Sequence, residues 1–83
     1  MNVRLKLYAT LGQFLPPDAV RNEIPIEMPD GASVYDVLLK YNVPLETCHL
    51  ILVNGVFAPP ARSAQTHLCE GDTVAVWPPI AGG

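Results

Sequence analysis

Apolar and polar residues alternate from the start of the chain: Val3, Leu5 and Leu7 fall on one side, Arg4, Lys6 and Tyr8 on the other. A period of two marks a strand with one buried face. A second alternation sets Ile24, Ile26 and Met28 against Glu23, Pro25 and Glu27. Pro25 has no N–H to give to a ladder, which assigns this strand to a sheet edge. The two runs are expected to pair as a hairpin, joined by a surface loop from about Thr10 to Arg21 that carries Gly12 and Pro16-Pro17. After the Asp30-Gly31 turn the period changes. Val34, Val37, Leu38 and Tyr41 are spaced i, i+3, i+4 and i+7, one helical stripe. Ser33 and Asp36 have the spacing of a capping box, with Asp in place of Glu, and Asn42 and Pro44 supply the stop. Such a helix has about two turns, roughly 12 Å, and persists only when packed on a sheet. Leu50 to Val53 is apolar throughout, as in a central strand covered at least partly on both faces. Asn54-Gly55 turns the chain into a short return strand, Val56-Phe57-Ala58, that Pro59-Pro60 ends. Glu70-Gly71-Asp72 is another turn, and Thr73 to Trp77 is a last β-rich run stopped by Pro78-Pro79.

The order is strand, strand, helix, strand, short strand, strand. In the usual arrangement of these elements the last strand inserts beside the first and the helix crosses one face. That is an α+β architecture, the β-grasp or ubiquitin-like fold, with a mixed sheet of four or five strands and one main helix. A chain of 83 residues holds one core, so residues 1–83 are expected to form a single domain, with 78–83 as an extended tail. Apolar residues make up 49% of the chain, enough to fold, and charged ones only 16%. The net charge of −3 provides no basic field for nucleic acid or anionic lipid, so neither is an expected partner. No apolar run approaches the roughly 18 residues of a membrane span, and the alternating first strand is unlike a secretory signal. The expected location is the cytoplasm. The two cysteines, Cys48 and Cys69, form neither a disulfide framework nor a redox pair and read as free thiols.

Few residue patterns could carry chemistry. Cys48-His49 would be a nucleophile pair only if a turn brought the two side chains together, because neighbours in extended chain point to opposite faces. His67 and Cys69 make half a metal site at most; structural zinc needs about four ligands, and no metal is expected. The acidic residues are scattered over turns and solvent faces, and no glycine-rich phosphate cradle is present. The end of the sequence stands apart: Trp77-Pro78-Pro79-Ile80-Ala81-Gly82-Gly83. The paired prolines force a stiff exit from the last strand. Six extended residues reach on the order of 20 Å. Without a Cβ, Gly82 and Gly83 can thread a narrow channel, and nothing shields the Gly83 carbonyl from attack. A carboxylate is a poor acyl donor, because attack must overcome its charge and expel an oxide. Adenylation by a separate ATP-using enzyme removes both obstacles, and a sulfur nucleophile can then displace AMP to leave a thiocarboxylate.

On these residues the sequence resembles the ubiquitin-like sulfur carriers of the MoaD/ThiS family. The resemblance covers the opening strand Val3 to Ala9, the Asp30-Gly31-Ala32-Ser33-Val34 helix start, Val53-Asn54-Gly55, Gly71-Asp72-Thr73-Val74-Ala75 and the tail. The Pro78-Pro79 ending is most like the small subunit of molybdopterin synthase. The resemblance implies a carrier rather than an enzyme. Gly83, preceded by Gly82, would be adenylated by a MoeB-type, E1-like activating enzyme that uses the ATP, with no cofactor bound by this chain. The thiocarboxylate would then enter a MoaE-type large synthase subunit and give sulfur to the pterin of the molybdenum or tungsten cofactor. It also implies partner contacts at Tyr8, Phe57, Trp77, Pro78, Pro79, Ile80 and Ala81; Tyr8 and Phe57 could equally be core, whereas Trp77, beside Pro78 at the end of a strand, reads as interface ahead of core. Two stretches depart from the family pattern: Leu11-Gly12-Gln13-Phe14 replaces a common Arg-Glu pair, and Ala58 to Thr66 is longer than the usual connection. Other sulfur acceptors (thiamine thiazole, a tRNA base, a protein) and an interaction module with an inert tail are the competing readings, ahead of a thiol enzyme using Cys48.

Overall fold

The computed structural model of the chain describes residues 1–79. Its strands are β1 (Asn2–Leu7), β2 (Glu23–Glu27), β3 (Leu50–Val53), β4 (Val56–Phe57) and β5 (Thr73–Trp77), and its α-helix is α1 (Val34–Lys40). The strands form one sheet in the order β2-β1-β5-β3-β4. β1 pairs antiparallel with β2, placing Arg4 opposite Pro25, and parallel with β5, placing Leu5 opposite Val74. β3 runs antiparallel to both β5 and β4. The mixed five-stranded sheet with one main helix is the β-grasp expected above, and Pro25 lies on an edge strand.

Alternation decides which side of the sheet is core. Val3, Leu5 and Leu7 of β1, Ile24 and Ile26 of β2, Ile51 of β3, and Val74 and Val76 of β5 are buried in one cluster with Val34, Val37 and Leu38 of α1. Each such side chain removed from water contributes about 1.5–3 kcal/mol. Tyr41, the last member of the predicted stripe, packs partly buried against the same cluster.

The short helix is held at both ends. The Ser33 hydroxyl accepts from Asp36 N (3.1 Å) while the Asp36 carboxylate accepts from Ser33 N (2.9 Å), completing the capping box. Val34 N donates to Thr66 O (2.9 Å) and Tyr35 N to Ser63 O (3.1 Å), so the remaining free amides of the first turn are satisfied by the segment between β4 and β5. At the other end Asn42 takes a left-handed φ of 59°, Asn42 N donates to Leu39 O (3.1 Å) and Val43 N to Leu38 O (3.0 Å). That is the paired bonding of a Schellman motif.

Asn54 and Gly55 both have positive φ, 52° and 82°, as a two-residue hairpin turn demands. The Asn54 side chain then ties this turn to β5: Oδ1 accepts from Thr73 N (2.9 Å) and Nδ2 donates to Asp72 Oδ1 (2.8 Å).

Two expectations need correction. The connection from Thr10 to Arg21 is not simply a surface loop. Ala9, at a φ of 51°, turns the chain into a 3-10 helix, Ala9–Phe14, and Leu11 is only 2% exposed. The apolar side chain closes the end of the core between β1 and β5, which a loop lying on the surface could not do. β3 has a strand on each side, β5 and two-residue β4, but of its four residues only Ile51 is buried and the other three are half-buried. The single helix covers one face, so Leu50 and Leu52 stay on the open one.

Candidate functional site

β5 lies in the middle of the sheet, so the chain leaves the fold from its centre rather than from an edge. The last turn of the ladder is held on both flanks. Tyr8 N donates to Val76 O (3.1 Å) from the β1 side, and His49 N to Trp77 O (2.9 Å) from the β3 side. Pro78 and Pro79 have no N–H, so pairing through their nitrogens stops there, as the sequence predicts.

Trp77 falls on the open face because Val74 and Val76 take the core side. Its indole stacks on the Tyr8 ring, centroids 4.5 Å apart and planes 9° from parallel. Beside this pair is a groove of about 410 Å³, lined by Ala9, Thr10, His49, Leu50, Trp77, Pro78 and Pro79. Leu50 stands opposite Trp77 in the register, and Leu52 opposite both Ala75 and Phe57. Phe57 itself is 58% exposed. The result is one continuous apolar strip from Tyr8 across to β4, the kind of contiguous patch that marks a contact surface.

The far half of the same face is polar, and its charges are paired. Glu23 accepts from the Arg4 guanidinium, and the Lys6 ammonium is 3.6 Å from its other oxygen. The hydrogen bond from Arg4 comes first in holding the Glu23 carboxyl below its ordinary range, with the two positive charges adding to it.

The structure thus brings together Tyr8, Trp77, Pro78 and Pro79 and joins Phe57 to them through Leu50 and Leu52. Ile80, Ala81, Gly82 and Gly83 lie outside the described residues. Leu50, Leu52, His49 and Thr10 escaped the sequence reading. The parity of β3 held a signal for Leu50 and Leu52; nothing local marked the groove's other walls.

The remaining candidates separate. Cys48 is 5% exposed, its Sγ donates weakly to Pro44 O (3.6 Å), and burial pushes its thiol up, away from the thiolate a nucleophile needs. His49 is exposed on the groove. His67 Nδ1 lies 2.9 Å from Gly31 O, and Cys69 is exposed. No group of three or more His, Cys, Asp or Glu side chains suited to a metal occurs among the described residues. Nor, among them, is any helix long and apolar enough to cross a membrane. Some carboxylates have structural partners rather than only water: Asp36 caps α1, and Asp72 binds both Asn54 and Cys69 N.

The fold is a β-grasp of the ubiquitin-like class, and its central strand ends beside an apolar strip at a proline pair. The match to the ThiS family model spans residues 7–83, and the chain belongs to that family of small, non-catalytic sulfur carriers. Among solved structures it is similar to SAMP1 from Haloferax volcanii, at 21% identity over all of both chains and a TM-score of 0.68. It is also similar to a putative molybdopterin converting factor subunit 1 from Pyrococcus furiosus, at 27% identity over 95% of this chain and 98% of that one, TM-score 0.65. A complex of subunits 1 and 2 of the molybdopterin-converting factor from Helicobacter pylori matches at 17% identity over all of both chains, TM-score 0.62. No curated protein matches the sequence significantly.

Proposed function

We propose that this protein carries sulfur as a thiocarboxylate on Gly83 for the synthesis of molybdopterin. The observation that carries the reading is the family match through Gly82-Gly83, on a chain whose last described residues leave the sheet centre beside an apolar strip. In this reading a MoeB-type, E1-like enzyme in the cytoplasm supplies the ATP. An oxygen of the Gly83 carboxylate attacks the α-phosphate, pyrophosphate leaves, and a sulfur nucleophile displaces AMP from the acyl carbon. That carboxylate is the chain's whole contribution to the chemistry in this reading; base and sulfur nucleophile come from the partners. The chain's other part is to present the end: Pro78 and Pro79 stiffen the exit from β5, Ile80 and Ala81 carry no charge, and the two glycines, lacking a Cβ, suit a narrow channel. The strip formed by Tyr8, Trp77, Leu50, Leu52 and Phe57 would seat the activating enzyme and then a MoaE-type large subunit. The likeness to the Pyrococcus converting-factor subunit at 27% identity supports the pathway, and the Helicobacter complex supplies a precedent for a second subunit on this fold.

Mass spectrometry after incubation with ATP, a sulfur source and the activating enzyme is expected to show one oxygen of the Gly83 carboxyl replaced by sulfur. Absence of exchange with every activating enzyme of the host would refute the reading. The shared fold with SAMP1, a protein named as a modifier, makes transfer of the Gly83 acyl group to a protein the second reading. Rescue of molybdoenzyme activity in a strain lacking its small synthase subunit favours the pterin acceptor, and failure to rescue favours the other.

A further inference from the structure

We infer that Tyr8 is a positioning residue for the tail: acting through Trp77, it sets the direction in which the chain leaves β5. The inference rests on the carrier reading above, and it concerns how that site is organised before any partner binds.

Up to Trp77 the path of the chain is determined by backbone pairing, with Val76 O held by Tyr8 N and Trp77 O by His49 N. Beyond it the two prolines have no N–H to bond. Past the Trp77 carbonyl the heading of the chain therefore depends on what the two proline rings pack against. One flank of the indole is covered by the Tyr8 ring, nearly parallel at 4.5 Å. The indole, Pro78 and Pro79 all border the same groove, so a rotation of the indole would shift the wall along which the prolines run.

Tyr8 is well placed for this task. It follows the last residue of β1, whose partner strand is β5, and Ala9 then departs in a left-handed conformation, φ 51°. That conformation is disfavoured for a residue with a Cβ. It carries Ala9 and Thr10 around the groove toward its other walls, His49 and Leu50, and leaves the Tyr8 ring against the indole. Two residues near opposite ends of the chain thus meet at the one point where the tail departs.

Stacked aromatic pairs add enough attraction to shift a two-state population about two- to tenfold. A partner that accepts only the directed tail loses apparent affinity by the same factor when that population falls. The stack uses the ring rather than the hydroxyl, so phenylalanine should serve in place of tyrosine.

The test compares Tyr8→Phe with two non-aromatic changes, Tyr8→Leu and Tyr8→Met, so that one folded non-aromatic variant is in hand. In the free protein, nuclear Overhauser contacts between the Trp77 indole and the Pro78 and Pro79 rings are measured, together with the near-ultraviolet circular dichroism of the indole. The expected result is that both signals persist in Tyr8→Phe and weaken in the non-aromatic variants, while core amide shifts and far-ultraviolet spectra stay as in the wild type. With the activating enzyme, kcat/KM for adenylation should fall about two- to tenfold in the non-aromatic variants through KM, with kcat kept, and recover in Tyr8→Phe. Unchanged indole–proline contacts in a non-aromatic variant would overturn the inference, and so would a Tyr8→Phe protein as impaired as Tyr8→Leu. If the wild type is not adenylated at all, the carrier reading fails, and the contacts in the free protein still decide whether Tyr8 directs the chain.

Discussion

Glu23 stands directly opposite Lys6 in the β1–β2 register and also receives the Arg4 guanidinium, so one carboxylate answers two cations. Its folded-state pKa is lowered, chiefly by the Arg4 hydrogen bond. A group depressed in this way stabilises the fold above its unfolded-state pKa, and the contribution is lost as pH falls through the folded value. Thermal melts of the wild type and Glu23→Gln should therefore differ at neutral pH and converge in acid. The carboxylate is solvent-screened, so the gap at neutral pH should be small and shrink with added salt. The thiols give a second check at this scale. At neutral pH a thiol reagent should label Cys69 in the native protein and reach Cys48 only on denaturation, with the site read by peptide mass. Cys48→Ala should form the thiocarboxylate as the wild type does.

Among the elements, α1 shows how much a short helix owes to its surroundings. Its seven residues could not stand alone, and its first amides are bonded by Ser33, Asp36, Ser63 and Thr66. Ser33→Ala should cost about 1 kcal/mol, a fall in Tm of roughly 4–8 °C for a domain of this size, read by calorimetry. The 3-10 helix after β1 tests the corrected assignment of that connection. Leu11→Ala should cost about 2–5 kcal/mol, the range for a buried leucine, where a true surface loop would lose no more than about 0.5 kcal/mol. The Ala58–Asp72 segment earns its place through the same helix: its carbonyls cap α1, Leu68 N donates to Ala32 O (2.8 Å), and Leu68 is buried.

At the scale of the molecule, the residues that hold the fold and those proposed to carry sulfur separate along β5. Among the described residues the core closes at Val76 and the ladder at Trp77. Deleting Gly82-Gly83 should leave Tm within about 2–4 °C of the wild type while abolishing thiocarboxylate formation, since the change removes no residue of that core or ladder and is expected to cost no more than about 0.5 kcal/mol. An interaction module with an inert tail would instead keep partner binding and phenotype after the same deletion.

What the sequence determined by itself was local. The two-residue period of β1 and β2, the Ser33–Asp36 cap, the Asn42 stop, the Asn54-Gly55 turn and the proline pair after Trp77 all follow from stereochemistry within a few residues. The diglycine ending was legible for the same reason: it depends on which atoms are there, not on what lies across the fold. That Pro25 marks an edge was readable because a missing N–H admits few other places. The tertiary structure decided what depends on distant partners. Leu11 and Leu68 look like loop residues until the ends of the core need closing. β3 reads as doubly covered until a single helix leaves one face bare. Tyr8 and Trp77 gave no local sign that they would stack. Only the parallel pairing of first and last strands, with Ala9 turning the chain away, sets their rings 4.5 Å apart where the tail begins.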